Sequence, residues 1–235
     1  MPGAPEPPWR RRQEETPRAD RRPLTRDAIV NAAMTVLDRA GLTGLSMRKL
    51  ADELGVGAAS LYWHVGDKEE LLGLLLDRIV GETEVPEPDP ENWQEQVKEM
   101  GRESRRLLQR HRDAAQISLG RIPVGPHSMP VLERYLAVLV AAGLPSRVIA
   151  HAADMFALYV GGFAFEESMR VPPLGDERAG QEQLAEYFRS LPPDEFPSLV
   201  ALAGDLTAGD NDERFEFALE LLVHGLEAMA EAHPD

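Results

Sequence analysis

Three capped helix starts, at Thr25, Ser46 and Asp67, follow one another within about 45 residues, and a stretch so punctuated can fold only as a cluster of short helices. Thr25 offers an oxygen to the open amides of a first turn, and Leu24 before it can staple to Ile29. Ile29, Ala33, Val36, Leu37 and Ala40 then recur at helical spacing until Gly41. Ser46 opens a short second helix with Leu45 and Leu50 as its staple, Leu50, Ala51 and Leu54 facing inward, and Gly55 as C-cap. Gly55-Val56-Gly57 makes a turn, and Ala58 to His64 form a third helix. Asp67-Lys68-Glu69-Glu70 is a capping box for a fourth, apolar helix through Val80. A long helix followed by two short ones across a Gly-containing turn is the helix-turn-helix plan.

A proline-spaced hinge, Val85-Pro86-Glu87-Pro88-Asp89-Pro90, comes next. Beyond it the periodicity predicts helices near 92–118, 128–142, 146–169, 176–190, 194–203 and 211–232, with no strand-type alternation and no solenoid repeat. The expected fold class is therefore all-α: an N-terminal three-helix helix-turn-helix head plus a larger helical domain for effector binding and dimerisation. The expected division is 1–23 a disordered Arg/Pro-rich arm, 24–70 the DNA-binding domain and 71–235 the effector-binding and dimerisation domain. A hydrophobic content of 43% is ample for a full core. With no cysteine there is no disulfide framework and no thiolate metal ligand. No run reaches the roughly 18 consecutive apolar residues of a membrane span, and no apolar signal core opens the sequence, so a cytoplasmic protein without membrane partners is expected.

Charge is distributed unevenly. Residues 1–70 carry 11 Lys and Arg against 11 Asp and Glu, and residues 71–235 carry 14 against 29, so the whole net charge of −15 lies after residue 70. A phosphate backbone repels such a body and admits only the neutral head. The arm holds Arg10, Arg11, Arg12, Arg18, Arg21 and Arg22 among six prolines. It suits either an inert solvating tail or a basic arm that reaches phosphates or a minor groove.

Within the head, burial of Leu50, Leu54, Val56, Leu61 and Val65 leaves Arg48, Lys49, Ser60, Tyr62, Trp63, His64 and Lys68 outside. Arg48 has the planar fork that pairs with guanine O6 and N7, while Tyr62, His64 and Lys68 suit phosphate oxygens and the methyls of Ala58 and Ala59 suit thymine methyls. The segment from Leu45 to Lys68 resembles the head of the TetR family of transcriptional regulators, and Leu61-Tyr62-Trp63-His64-Val65 with Lys68 is nearest in motif to its tetracycline-repressor subgroup. The similarity continues through Trp93-Gln94, His111-Arg112-Asp113-Ala114-Ala115, Leu119-Gly120, Leu136-Ala137 and Ala142-Gly143. The resemblance implies a homodimer on a palindromic double-stranded DNA operator, released when a ligand enters the second domain. It assigns Arg48 to a base, Tyr62 and Lys68 to the backbone, and Trp63 to bracing the recognition helix.

That subgroup holds its drug as a magnesium complex between two histidines, with an asparagine, a phenylalanine and a glutamine. The matching positions here are Glu84, Ser118, Met100, Ser104 and Tyr135, so the imidazole donors are gone and neither a metal nor a cofactor is expected. The remaining candidate pocket is Met100, Ser104, Leu107, Ser118, Tyr135, Met155, Phe156, Tyr159 and Phe163, apolar and aromatic with a few hydroxyls, a make-up that suits a small apolar or aromatic effector. The same residues would equally serve as ordinary core. No nucleophile-base pair, phosphate loop or metal motif is present, so an enzyme is not expected. A regulator or activator controlled by a protein partner is the alternative. Gly161, Gly162 and Ala164 in one long apolar helix, and Phe217, Leu221, Leu222 and Leu226 in another, suggest a four-helix dimer interface.

Overall fold

A computed structural model describes residues 24–169 and 177–232, and all of the regular structure among them is helical. The Arg-rich arm lies outside the described residues. The head comprises α1 (Arg26–Gly44), α2 (Met47–Leu54), α3 (Ala58–Tyr62) and the start of α4 (Lys68–Val80). Its caps form as the residue types dictate: Thr25 Oγ1 accepts from the Ala28 amide at 3.1 Å and Ser46 Oγ from the Lys49 amide at 3.3 Å. Asp67 accepts from the Glu70 amide at 2.8 Å, and Glu70 reaches back to Gly66 at 2.7 Å, one residue further out than a standard capping box. Gly55 takes the left-handed conformation at φ 63° that closes α2.

Ile29, Leu37, Leu50, Leu61, Val65, Leu71, Leu75 and Ile79 bury completely in one cluster, which Leu107, Ala114 and Ile117 of the body complete. Helix α4 is thus packed into the head along most of its length. Arg26 fastens the two ends of the head together, donating to the His64 carbonyl at 3.1 Å and pairing with Glu70 at 2.6 Å. The third helix closes at Tyr62, two residues short of the expected end, because the His64 and Val65 amides both turn onto the Leu61 carbonyl.

The body contains α5 (Trp93–Arg110), α6 (Ala114–Ser118), α7 (Ser128–Ala141), α8 (Ser146–Met169), α9 (Glu177–Arg189), α10 (Pro197–Ala201), α11 (Ala203–Thr207) and α12 (Asn211–Ala232). Two expected helices are each divided. The one near 92–118 breaks between α5 and α6, where Asp113 sits at φ 58° and its carboxylate accepts from the Leu42 amide of the head at 2.6 Å. The one near 194–203 becomes α10 and α11, begins at Pro197 and runs on to Thr207, since proline is tolerated only in a first turn.

Helix α8 is long and apolar enough to cross a membrane by length and composition alone. Here it packs against α5, α6, α7 and α12 as the central helix of the body. Gly161 and Ala164 turn inward, Gly161 toward Ser118, and Leu226 is buried too, so these residues serve the chain's own core rather than an outer face. Large apolar side chains exposed on these two helices include Met155 and Leu158 on α8 and Phe217 and Leu221 on α12. Arg102 ties α5 to α12 with a two-pronged contact to Glu216 at 2.8 and 2.7 Å, and Arg105 grips Glu167 on α8 at 2.9 and 2.6 Å.

Head and body meet through polar contacts around a tight crossing. His111 lies between Asp38 at 3.3 Å and Glu82 at 3.2 Å, and Arg112 donates to the Arg39 carbonyl at 3.3 Å. Gly41, at φ 69° and ψ −179°, bends the end of α1 around this contact. A methyl group at residue 41 would stand 2.6 Å from the Asp113 carboxylate and 2.8 Å from Arg112 Nε, in a backbone region that only glycine adopts readily. Gly41→Ala is therefore expected to lower stability by about 1–3 kcal/mol from backbone strain alone, read as a fall in the urea midpoint at fixed protein concentration. An unchanged midpoint would show that the crossing relaxes freely.

Candidate nucleic-acid interface and effector pocket

The capped head holds its polar side chains on one outer surface. Arg48 and Lys49 project from the first turn of α2, and Ala58, Ala59, Ser60 and Tyr62 are exposed on α3. Trp63 is 89% exposed, so within this chain it braces nothing, and its ring is free to meet another surface. His64 is half-buried, held by the Arg26 contact to its carbonyl. Lys68 is also half-buried and directs its ammonium at the Leu42 carbonyl, 3.4 Å away. The α2–α3 turn is thus a rigid platform of guanidinium, ammonium, hydroxyl and aromatic groups, a set suited to phosphates and base edges. Beside it an open groove of about 440 Å³ runs between α1 and α2, lined by Arg39, Lys49, Asp52 and Glu53. The Arg39–Glu53 ion pair at 2.9 Å spans it, keeping the Glu53 carboxyl below its ordinary range through hydrogen bonding and charge.

The residues proposed for the effector are not all brought together. Met100, Tyr135 and Phe156 share one cluster with Trp93, Val97, Val138 and Leu139. Phe156 also touches a second cluster, in which Phe163 is buried and Tyr159 partly so. Tyr159, Phe163 and Phe215 meet there with ring centroids 5.0 to 5.7 Å apart, and the Arg105 guanidinium lies 4.8 Å from the Phe215 centroid. Leu107 belongs instead to the head cluster. Ser118 bonds its own helix at the Ala115 carbonyl, 2.8 Å away, and Met155 lies on the exposed stripe of α8. Glu84 is exposed, and Glu166 is engaged by Arg214 at 3.2 Å. Among the described residues, no group of three or more acidic or histidine side chains is placed to hold a metal ion.

The polar centre of this region is a hydroxyl pair. Ser104 Oγ and Tyr135 Oη are 2.8 Å apart, joining α5 to α7. Burial pushes the Tyr135 phenol above its ordinary range, and either hydroxyl of the pair can be the donor. A cleft of about 330 Å³ opens on the other side of α8, lined by Leu158, Tyr159, Gly162, Phe163, Glu166 and Arg214.

Asp77 was not legible as a functional residue, although the signal was present. It is a carboxylate placed directly after Leu74-Leu75-Leu76 in an apolar helix, and a charge on an inward face demands partners. In the structure it is 3% exposed, and its Oδ1 accepts from the His127 amide at 3.2 Å, the Ser128 amide at 2.8 Å and the Ser128 hydroxyl at 2.7 Å. Arg26 carried no sequence signal of this kind.

Comparison with known proteins matches residues 29–75 to the model of bacterial regulatory proteins of the tetR family, and residues 85–230 to the tetracyclin repressor-like C-terminal domain. A transcriptional regulator of the helix-turn-helix type from Saccharopolyspora erythraea is 38% identical over 88% of this chain and 86% of its own length. The transcriptional repressor DrrR1 of Streptomyces coeruleorubidus is 34% identical over 88% of this chain and 78% of its own. Among solved structures, apo ActR from Streptomyces coelicolor superposes with a TM-score of 0.82 at 46% identity, covering 90% of this chain and 99% of ActR. ActR in complex with actinorhodin gives 0.80 at 48% identity, covering 88% and 96%. Matched along nearly the whole described chain in head and body alike, the protein belongs to the TetR family of transcriptional regulators.

Proposed function

We propose that this regulator is a repressor that binds a palindromic operator as a homodimer and leaves it when a small, mostly apolar aromatic effector enters the body without a metal. The observation that carries the reading is the uncovered platform of Arg48, Lys49, Ser60, Tyr62 and Trp63 on a head whose last helix continues into the body. Dimerisation is supported by the stripe of Met155, Leu158, Phe217 and Leu221, each about half or more exposed to solvent in the single chain. Two such stripes facing each other give the two-fold symmetry of a palindrome. The effector reading is supported by the apolar surroundings of the Ser104–Tyr135 hydroxyl pair and by the relative ActR, solved with actinorhodin and with (S)-DNPA.

For the DNA role, an operator is recovered by selection from random duplexes and binding is measured against salt. Arg48→Ala is expected to cost about 1–3 kcal/mol on the selected site and to relax preference at one base pair. Lys68→Ala should weaken all sequences alike and flatten the salt dependence. Equal losses on selected and random DNA for Arg48→Ala would remove its base-reading role.

For the effector role, the protein–operator complex is titrated with actinorhodin and a panel of uncharged aromatic compounds in the presence of a chelator, and separately with tetracycline and magnesium. Release by a chelator-insensitive compound is expected, with apparent affinity reduced by about 3- to 30-fold in Tyr135→Phe through the lost hydrogen bond. Release only by the magnesium complex would overturn this reading of the pocket.

A further inference from the structure

Helix α7 has no cap of its own. His127, at its N-cap position, makes no side-chain bond to the open amides of the first turn, and the preceding segment is Gly125-Pro126. The missing cap is supplied by Asp77, which belongs to α4 and lies 50 residues earlier than His127. Its carboxylate is buried, and Ser128, which donates to it twice, is fully buried as well. Gly125 closes the site from outside. A methyl group at residue 125 would fall 2.3 Å from the Asp77 carboxyl carbon, so the loop can approach only because it has no side chain there.

The rest of α4 is packed into the head. Leu71, Leu72, Leu75, Leu76 and Ile79 are built into the head cluster, Asp67 caps the helix beside α3, and Arg78 pairs with Asp27 of α1 at 3.1 Å. Asp77 lies ten residues after Asp67, which at 1.5 Å per residue places it about 15 Å along the helix. A small change of angle at that anchor is therefore a displacement of α3. On the body side, α7 also carries Tyr135, two turns beyond the capped end, where its hydroxyl meets Ser104.

We propose that Asp77 is a positioning residue for operator recognition: by capping α7 from α4 it fixes the angle of each head on its body, and so sets the half-site spacing that the dimer accepts. This rests on the reading of the protein as a dimeric operator-binding regulator. Other ties hold the head elsewhere: Asp113 at the Leu42 amide, His111 between Asp38 and Glu82, and Arg121 with Glu69 at the start of α4, 2.6 Å apart; the Asp77 contacts are the hydrogen bonds that join α4 to α7 itself.

The test uses the full-length protein without any effector. An operator is selected from random duplexes with the wild type, and affinities are then compared for that operator and for versions with one or two base pairs added or removed between the half-sites. Asp77→Ala should narrow the wild-type preference for the selected spacing by about 3- to 30-fold, the range that a helix cap contributes, while binding to a single isolated half-site is unchanged. Asp77→Asn keeps an acceptor oxygen and should restore the preference. Should Asp77→Ala fail to fold, Ser128→Ala removes one of the three bonds and should narrow the preference to a lesser degree. A spacing preference equal to wild type in a folded Asp77→Ala or Ser128→Ala protein would overturn the proposal. Failure of the wild type to select any two-half-site operator would instead overturn the functional reading itself.

Discussion

Burial of α4 between head and body is the contact on which the rest of the structure depends. A helix-turn-helix of this size cannot enclose its own apolar surface, and Leu71, Leu75 and Ile79 complete its core from outside. Leu107, Ala114 and Ile117 close the same cluster from the body. The head therefore has no core independent of the larger domain. Any rearrangement of α5, α6 or α7 changes the surroundings of α4, and a ligand that favours one arrangement alters the orientation of the recognition surface through its differential affinity for the two states.

Features encoded by near neighbours were legible in the sequence, and those encoded by distant ones were not. Thr25, Ser46, Gly55 and Asp67 act on backbone groups within a few residues, so their roles follow from residue type and spacing. Asp113 breaks an otherwise continuous helical pattern because its partner is the Leu42 amide, 71 positions away. No local periodicity contains that information. Helical spacing also cannot say which of two apolar faces of α8 turns inward, and so Gly161 and Ala164 were expected on the outer face while Met155 was expected in the pocket. Trp63 stands outside, as the burial of Leu61 and Val65 on the same segment requires, and only the bracing role that the resemblance implies is not met within this chain.

The chemistry of the candidate pocket differs from a metal-chelate site in kind. Ser118 is bonded to its own helix, Glu84 is exposed, and the polar groups beside Met100 are the hydroxyls of Ser104 and Tyr135. Hydroxyls orient a ligand by direction rather than charge, each offering one donor and two acceptor lone pairs. Met100 lies in the same cluster and is an adaptable side chain. On the effector reading proposed above, such a site would select flat, weakly polar molecules by shape first and by one or two hydrogen bonds second.

The uncovered stripe on α8 and α12 also bears on the life of the newly made chain. Leu158 and Phe217 are 60% and 71% exposed in the single chain, surface that water solvates poorly. Covering it with a second copy makes the free energy of folding depend on how many copies are present. In the dimer proposed above, a regulator synthesised in few copies would pass through a folded but adhesive intermediate whose lifetime is set by encounter with a sister chain. Translation of several chains from one messenger would then shorten that interval, because it raises the local concentration at the ribosomes where these surfaces first emerge.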